Sequence, residues 1–301
     1  MDDLPTELCT RIFSLACLDD GTTGRMLSLV SKYVHQVSKS VKFQSIVLRG
    51  FKQTCQFLAV LQTTPKKHQH VYHLFVHDDY NGDPLYWSDT LKRILPIISP
   101  TLRTLAVRSN DLKPSHLHPL DLPLLEELTF FSDQYRAYVR REPIIPLPHL
   151  KHIHYAGEFG QYDVDPFKIL CEMAPNLTHF RCSEMYSNGT VIGDLETVLG
   201  WETDDKQRHE GPGTTFRLPS TVTTLVAQAA ARQYNGHIFG IHSIPSMMDM
   251  LQRLADRGRE RGVIIFPPDE ERLYHKSGNH MEAEWLDRIH GGQGCWCENN
   301  G

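Results

Sequence analysis

The hexad Leu102-Arg103-Thr104-Leu105-Ala106-Val107 has the form apolar-x-x-apolar-x-apolar, and this form recurs along much of the 301-residue chain. Its second half alternates apolar residues with others, as in a β-strand, whose successive side chains point to opposite faces. Successive hexads begin 28, 31, 23, 25, 27 and 45 residues apart. The seven hexads are 43–48, 71–76, 102–107, 125–130, 150–155, 177–182 and 222–227.

Prolines and helically spaced apolar residues between the hexads predict that helices alternate with the strands. A proline lies two or three residues before five of the hexads, where it stops a helix and fixes an extended approach to a strand. These prolines are Pro100, Pro123, Pro148, Pro175 and Pro219. Helical spacing of apolar residues appears at 53–61, at 88–95 before Pro96, and at 165–174. Strands alternating with helices in one direction predict an α/β fold with a mostly parallel sheet and outer helices.

The spacing of the hexads is similar to that of leucine-rich repeats, which have a period of about 20–29 residues. The asparagine of the regular repeat is mostly missing, so the resemblance implies an irregular solenoid over 43–266. The long 45-residue step indicates an insertion near 184–221, whose polar stretch 201–215 reads as an exposed loop. Further strands are expected at 238–241 and 263–266, with a helix opening at Pro245.

A different pattern occupies residues 1–42. Pro5 suits the first position of a helix, and acidic residues near it favour a helix start. Leu8, Ile12 and Leu15 then fall on one stripe at helical spacing. After a break at 18–24, a second helical stripe follows, made of Met26, Leu29, Val30, Tyr33, Val34 and Val37.

The sequence Leu4-Pro5-Thr6-Glu7-Leu8, with Ile12-Phe13 and Leu29-Val30-Ser31-Lys32, resembles an F-box, in the form expanded in mushroom-forming fungi. Many F-boxes carry Trp at the position of Val34. The resemblance implies a non-enzymatic subunit of an SCF-type ubiquitin ligase, which docks on a Skp-type adaptor and through it on a cullin. The rest of the chain would then bind a substrate protein. The implied adaptor-binding residues are Leu4, Pro5, Leu8, Ile12, Leu15, Leu29 and Val30.

The same apolar residues have an alternative interpretation. A repeat array needs a capping element at its end, so residues 1–42 could be a structural cap. The chain would then be a repeat-type protein-binding module with no role in a ligase.

Strand residues that alternate with the three apolar positions share the other face of the sheet, which is concave in a repeat array. A cluster of His and Arg beside one Glu on that face predicts a substrate-binding surface. The alternative is that these residues are merely solvated. The predicted substrate-binding residues are His73, Phe75, Thr104, Glu127, Thr129, His152, His154, His179, Arg181 and Thr224.

A catalytic alternative rests on His152, His154 and His179, because imidazole is a common zinc ligand. No carboxylate or Cys pair with ligand spacing accompanies them, so the sequence predicts no metal and no cofactor. Gly-x-Ser-x-Gly, the P-loop and a Gly-x-Gly-x-x-Gly after a strand are all missing. We therefore expect no enzymatic activity.

Composition limits the class of protein further. A formal net charge of −5 argues against binding nucleic acid through phosphate neutralisation. No apolar run approaches the roughly 20 residues of a membrane span, and no signal peptide is recognisable. Seven scattered cysteines suggest free thiols, and the expected location is cytoplasmic or nuclear. At the C-terminus, 267–301, a helix at 281–289 precedes a glycine-rich tail that either folds back on the array or frays.

Overall fold

The computed structural model describes residues 4–78, 84–109, 120–132, 144–157, 166–185, 195–196, 199–200, 218–229, 244–267 and 279–297. The fold is α/β, with eight parallel strands ordered in the sheet as they are in the chain. The predicted class and the predicted parallel sheet are thus confirmed. The strands are β1 (Ser45–Arg49), β2 (His73–His77), β3 (Thr104–Arg108), β4 (Glu127–Ser132), β5 (His152–Gly157), β6 (His179–Met185), β7 (Thr224–Ala229) and β8 (Val263–Phe266).

Each of the first seven strands begins at the third residue of one of the seven hexads and runs one to three residues beyond it, and the predicted strand 263–266 is β8. The apolar positions of the hexads are buried as expected: Leu74, Val76, Leu105 and Val107 are at most 1% exposed. Parallel register places Leu74 beside Leu105 on the next strand. Equivalent apolar residues of neighbouring hexads therefore stack in rows across the sheet.

A shared carbonyl marks the step from one hexad to the next. The carbonyl of Gln44 accepts hydrogen bonds from the N–H groups of Tyr72 (2.9 Å) and His73 (3.0 Å). The carbonyl of Tyr72 in turn accepts from Arg103 and Thr104. The same arrangement links Arg103 to Glu126 and Glu127, Lys151 to Thr178 and His179, and Thr178 to Thr223 and Thr224. One backbone step is therefore repeated despite unequal spacing in the sequence.

The described α-helices are α1 (Thr6–Ala16), α2 (Thr22–Val30), α3 (Lys32–Ser38), α4 (Gly50–Thr63), α5 (Pro84–Ile98), α6 (Pro166–Met173), α7 (Ile244–Gly258) and α8 (Asn279–Ile289). A 3-10 turn, Gly294–Trp296, follows α8. Within these described helices, none is both long and apolar enough to cross a membrane.

Several helix boundaries differ from the sequence-based expectation. Helix α5 begins at Pro84 instead of Ser88, and Pro96, which the sequence predicts to end or kink it, lies inside the helix, which continues to Ile98. Proline removes a helical N–H, and Pro96 lies on the exposed side of the last turn, where the freed carbonyl can reach water. Helix α4 begins at Gly50, three residues before the predicted start. The predicted strand 238–241 and the loop 201–215 lie outside the described residues, as does most of the insertion.

The chain divides into two compact units. Unit 1 comprises Met1–Leu128 and Ser277–Gly301, and unit 2 comprises Thr129–Lys276. The predicted boundaries at residues 42 and 266 stay a prediction. Within unit 1, the N-terminal helices, β1 to β3 and α8 pack together; unit 2 holds β5 to β8 with α6 and α7.

The expected second helix is in fact two helices. Ser31 is extended, with φ −161° and ψ 166°, and its hydroxyl accepts a hydrogen bond from the N–H of Val34 at 3.1 Å. A serine in this role caps a new helix. The single stripe predicted from Met26 to Val37 is therefore wrong, since α2 and α3 present its members to different surroundings. Val34 and Val37 are buried, whereas Leu29 and Val30 are exposed.

Residues from α1 and α3 build a small apolar core within unit 1. It consists of Cys9, Phe13, Cys17, Val34, Val37 and Val41, against which Leu27 and Tyr33 pack. Polar contacts join this helical segment to β1: Gln44 Nε2 donates to the carbonyl of Ser14 (2.6 Å), and the N–H of Val47 donates to the carbonyl of Asp20 (3.1 Å). The segment thus covers the free edge of the first strand.

Phe13 and Ile12 point to opposite sides of α1, so their substitution should lower the free energy of unfolding by unequal amounts. Phe13 is 5% exposed and Ile12 is 53% exposed. Phe13→Ala should lower the free energy of unfolding by about 3–5 kcal/mol, because a ring-sized cavity forms in the small core. Ile12→Ala should cost less than about 1 kcal/mol. Urea unfolding of the full chain measures both, and equal losses in the two variants would contradict this orientation of α1.

Candidate functional site

An exposed apolar surface lies on α1 and α2. We call it the N-terminal apolar surface, and its side chains are 42% to 76% exposed. It consists of Leu4, Leu8, Ile12, Leu15, Met26, Leu29 and Val30. Pro5 is also exposed, so all seven predicted adaptor-binding residues face solvent. Met26 was not among them, although its helical spacing to Leu29 and Val30 is a signal that could have added it.

Helix α1 is apolar on two sides. Leu8, Ile12 and Leu15 follow one another at the spacing of an exposed stripe, while Cys9 and Phe13, one position later, point into the core. A helix that is apolar on both sides is normally covered on both sides. The inner side is already covered within unit 1, and the outer side is left to solvent.

The thiol of Cys17, in the small core on the buried side of α1, is uncharged. Burial, helped by the nearby charge of Asp19, raises the pKa of the Cys17 thiol to about 11. That thiol therefore stays protonated at neutral pH and behaves as a small apolar group. Within the described chain, Cys9, Cys17, Cys55 and Cys297 are thiols outside any disulfide.

Val34 lies on the inner side, where it is 4% exposed. The position at which many F-boxes carry Trp thus contributes here to the small core and not to the exposed surface.

The second candidate site is the alternate face of the strands, which the sequence suggested as a substrate-binding surface. In unit 1 the register pairs His73 with Thr104 and Phe75 with Ala106. His73 Nδ1 lies 3.0 Å from Thr104 Oγ1, and both residues are partly buried. Burial, followed by the charge of Arg103, lowers the pKa of His73 to about 4. His73 is therefore neutral at pH 7.

The C-terminal segment, defined as residues 279–297, covers this face of unit 1. The Trp285 ring lies 5.7 Å from the Phe75 ring, and Arg288 Nε donates to Glu127 Oε2 at 2.9 Å. Phe75 is fully buried and Glu127 is 8% exposed, so the expectation that these two side chains are displayed to solvent is wrong. The sequence left open whether the C-terminal tail folds back or frays, and its described part, residues 291–297, folds back.

The surroundings of the buried Glu127 carboxylate shift its pKa in opposite directions. Burial raises its pKa, while the Arg288 charge and hydrogen bonds from Trp296 and Arg288 lower it, and the net shift is upward. The indole N–H of Trp296 approaches Glu127 Oε1 at 3.5 Å. The hydrogen bonds and charge of its partners offset only part of the desolvation cost of this carboxylate. Its ion pair with Arg288 is therefore important for holding the C-terminal segment on the sheet.

A second ion pair attaches the other end of α8. Arg49 Nε donates to Glu282 Oε2 at 3.1 Å, and Arg49 Nη2 contacts the other oxygen of the same carboxylate. Asp20 lies 3.6 Å from the guanidinium. Burial alone would lower the pKa of Arg49, but hydrogen bonds and charges from Glu282 and Asp20 outweigh it and raise the pKa. Sequence analysis had not singled out Arg49, Glu282 or Arg288, because no local pattern connects them.

In unit 2 the predicted residues form a row on neighbouring strands. The His152 and His179 rings are register partners with centroids 4.6 Å apart. His154 Nε2 lies 2.7 Å from Ser183 Oγ, and Arg181 Nη2 donates to Gln228 Oε1 at 2.7 Å. His154 is 1% and Arg181 2% exposed, so for these two the expected display to solvent is wrong. Hydrogen bonds to Ser183 and Gln228 help to offset the cost of burying these two polar side chains.

The remaining predicted residues, Thr129, His152, His179 and Thr224, are partly buried. Among the residues that the structure describes, no group of three or more His, Cys, Asp or Glu side chains could hold a metal ion. His152, His154 and His179 thus lie on one face of the sheet, but within the described part of the chain they do not form a cluster of metal ligands.

Comparison with protein-family models, with curated proteins and with solved structures gives no match for this chain.

The lowered pKa of His73 predicts a pH dependence of stability. The unfolded chain binds a proton at His73 near pH 6.5, whereas the folded chain resists until about pH 4. The contribution of His73 is therefore fully present above pH 6.5, and on the order of 3 kcal/mol is lost as the pH falls to about 4. In His73→Asn, which keeps a polar group near Thr104, the fall in unfolding free energy should be shallower.

Urea unfolding of both proteins between about pH 7 and pH 4.5 measures this difference. His149→Asn is the control, because His149 is exposed, and this variant should follow the wild type. Parallel curves for wild type and His73→Asn would show that His73 does not resist protonation.

Proposed function

We propose that this chain is a non-catalytic substrate-recognition subunit of an SCF-type ubiquitin ligase. Its N-terminal helices dock on a Skp-type adaptor, which links it to a cullin, and an irregular leucine-rich-repeat-like solenoid holds the substrate protein. Ubiquitin transfer takes place on other subunits. The N-terminal apolar surface is the observation that carries the proposal.

The chemistry of this surface suits a protein partner. Seven large apolar side chains on or just before the contacting helices α1 and α2 are left to solvent, while the opposite side of α1 forms a core with α3. Concentrated exposed apolar residues mark interaction sites in soluble proteins. The F-box resemblance supplies the identity of the partner, because the exposed residues are those at which that resemblance places adaptor contacts.

The alternative, in which residues 1–42 are only a structural cap, accounts for the buried side of the helices but not for their exposed apolar side. Contacts of Gln44 with Ser14 and of Val47 with Asp20 attach the segment to β1. These contacts and the inner core are sufficient for a cap. They do not require large apolar residues at Leu8, Ile12, Leu15 or Leu29, whose exposure favours docking in addition to capping.

The repeated backbone step supports the solenoid part of the proposal. In each unit a carbonyl before one strand receives two consecutive N–H groups from the chain before the next strand. Strands in sequence order and helices between them fit a repeat array in which each repeat contacts its neighbours. Unequal steps of 23 to 45 residues make the array irregular.

Charge placed on the N-terminal apolar surface should abolish adaptor binding. Leu8→Asp with Ile12→Asp buries two carboxylates in an apolar interface, which costs far more than the exposed substitutions cost the free chain. We expect the affinity for a purified Skp-type adaptor to fall at least tenfold. Biolayer interferometry on the full chain measures it.

Ala59→Asp with Val60→Asp is the matched control. Both positions are exposed on α4 of the same unit, so this variant receives the same charge on a helix and should bind the adaptor as the wild type does. Absence of wild-type binding, or equal binding by both double variants, would reject adaptor docking and leave a binding module with a structural cap.

A further inference from the structure

The face of unit 1 that carries Arg49, Phe75 and Glu127 is a surface that holds a helix. We infer that its external partner is an amphipathic helix with a carboxylate, an indole and a guanidinium at three-residue intervals. We also infer that the chain's own C-terminal segment occupies this surface as a tethered competitor. We call it the helix-binding face. This inference deepens the substrate half of the proposed function and does not involve the adaptor.

The ligand chemistry follows from the segment now bound. Glu282, Trp285 and Arg288 lie three residues apart, which places them along one side of α8. Arg49 binds the carboxylate, Phe75 contacts the indole, and Glu127 binds the guanidinium. Opposite charges at the two ends fix the direction of a bound helix, because a reversed helix would place like charges together.

These contacts have the composition of an interface. An aromatic anchor, Trp285, is 6% exposed between two charge-assisted pairs, which is the arrangement typical of binding hot spots. The outer side of α8 is exposed at Ala283, Asp287 and His290. The helix is thus attached by one side only, as a bound peptide helix would be.

One polar atom of the bound C-terminal segment lacks a hydrogen bond to the described residues. The buried Trp285 Nε1 has no hydrogen-bond partner among the described residues. A buried N–H without a partner is unfavourable, so an external helix that binds without this defect can have a higher intrinsic affinity than the segment. Exchange is therefore energetically reasonable.

Covalent attachment explains why the face is closed in the free chain. The segment and the face belong to one polypeptide, so the segment binds in an intramolecular step, an advantage that an external helix of similar affinity lacks. Weakening the internal segment should therefore expose the face.

A labelled synthetic peptide tests this directly. It comprises residues 277–297 with serine at both cysteine positions, and its binding to the full chain is followed by fluorescence anisotropy. Glu282→Lys in the full chain opposes Arg49 with a like charge, and Trp285→Ala removes the anchor. Each should increase the apparent affinity for the peptide at least tenfold over the wild type.

Ala283→Lys is the matched control, because it adds a positive charge to the exposed side of the same helix and should change the affinity less than twofold. A peptide carrying Trp285→Ala should not bind the opened chain. Glu282→Lys alters a residue at the edge of the contact, so a folding failure of Trp285→Ala, visible by circular dichroism, leaves the test intact.

The inference is overturned if wild type, Glu282→Lys and Ala283→Lys bind the peptide alike. It is also overturned in favour of exchange between copies if Glu282→Lys forms a dimer by light scattering instead of binding peptide. No adaptor is present in this assay, so its outcome and the outcome for adaptor docking are separate results.

Discussion

Both faces of a parallel sheet have to be covered, and this constraint organises unit 1. Strand β2 is buried on both sides, since Leu74, Phe75 and Val76 are all fully buried. Helix α4 packs on β1 and α5 packs on α4, while α8 packs on β2. Without α8, the Phe75 ring and the Glu127 carboxylate would meet solvent. The C-terminal segment is therefore part of the fold of unit 1, although it comes last in the sequence.

Two kinds of covering are combined in this unit. The N-terminal helices pack around a small apolar core and cover the edge of β1, and the C-terminal segment covers a face through an aromatic contact between two ion pairs. An apolar core is hard to take apart without unfolding. Contacts organised around ion pairs whose arginine side chains reach solvent are more readily replaced by an equivalent ligand. The proposed adaptor site and the proposed helix-binding face differ accordingly: one is open and apolar, and the other is filled and polar at its ends.

Local patterns predicted the elements well. A strand begins at the third residue of each hexad because alternation of apolar residues has the period of a strand, and Pro100 and Pro175 lie just after the ends of α5 and α6. The exposed stripe Leu8, Ile12 and Leu15 could likewise be read from helical spacing. The break at Ser31 and the continuation through Pro96 could not, since each depends on how one hydroxyl or one carbonyl finds a partner.

By itself, the sequence determined where the described strands form and which of their residues share a face of the sheet. Tertiary structure alone decided which faces meet solvent. Periodicity assigns Phe75 and Glu127 to the side opposite the core, but a covering segment brought Trp285 and Arg288 onto that side. Arg288 lies 161 residues from Glu127 in the chain, and Glu282 lies 233 residues from Arg49. Burial of that face is thus a contact between distant parts of the chain, and no local pattern records it.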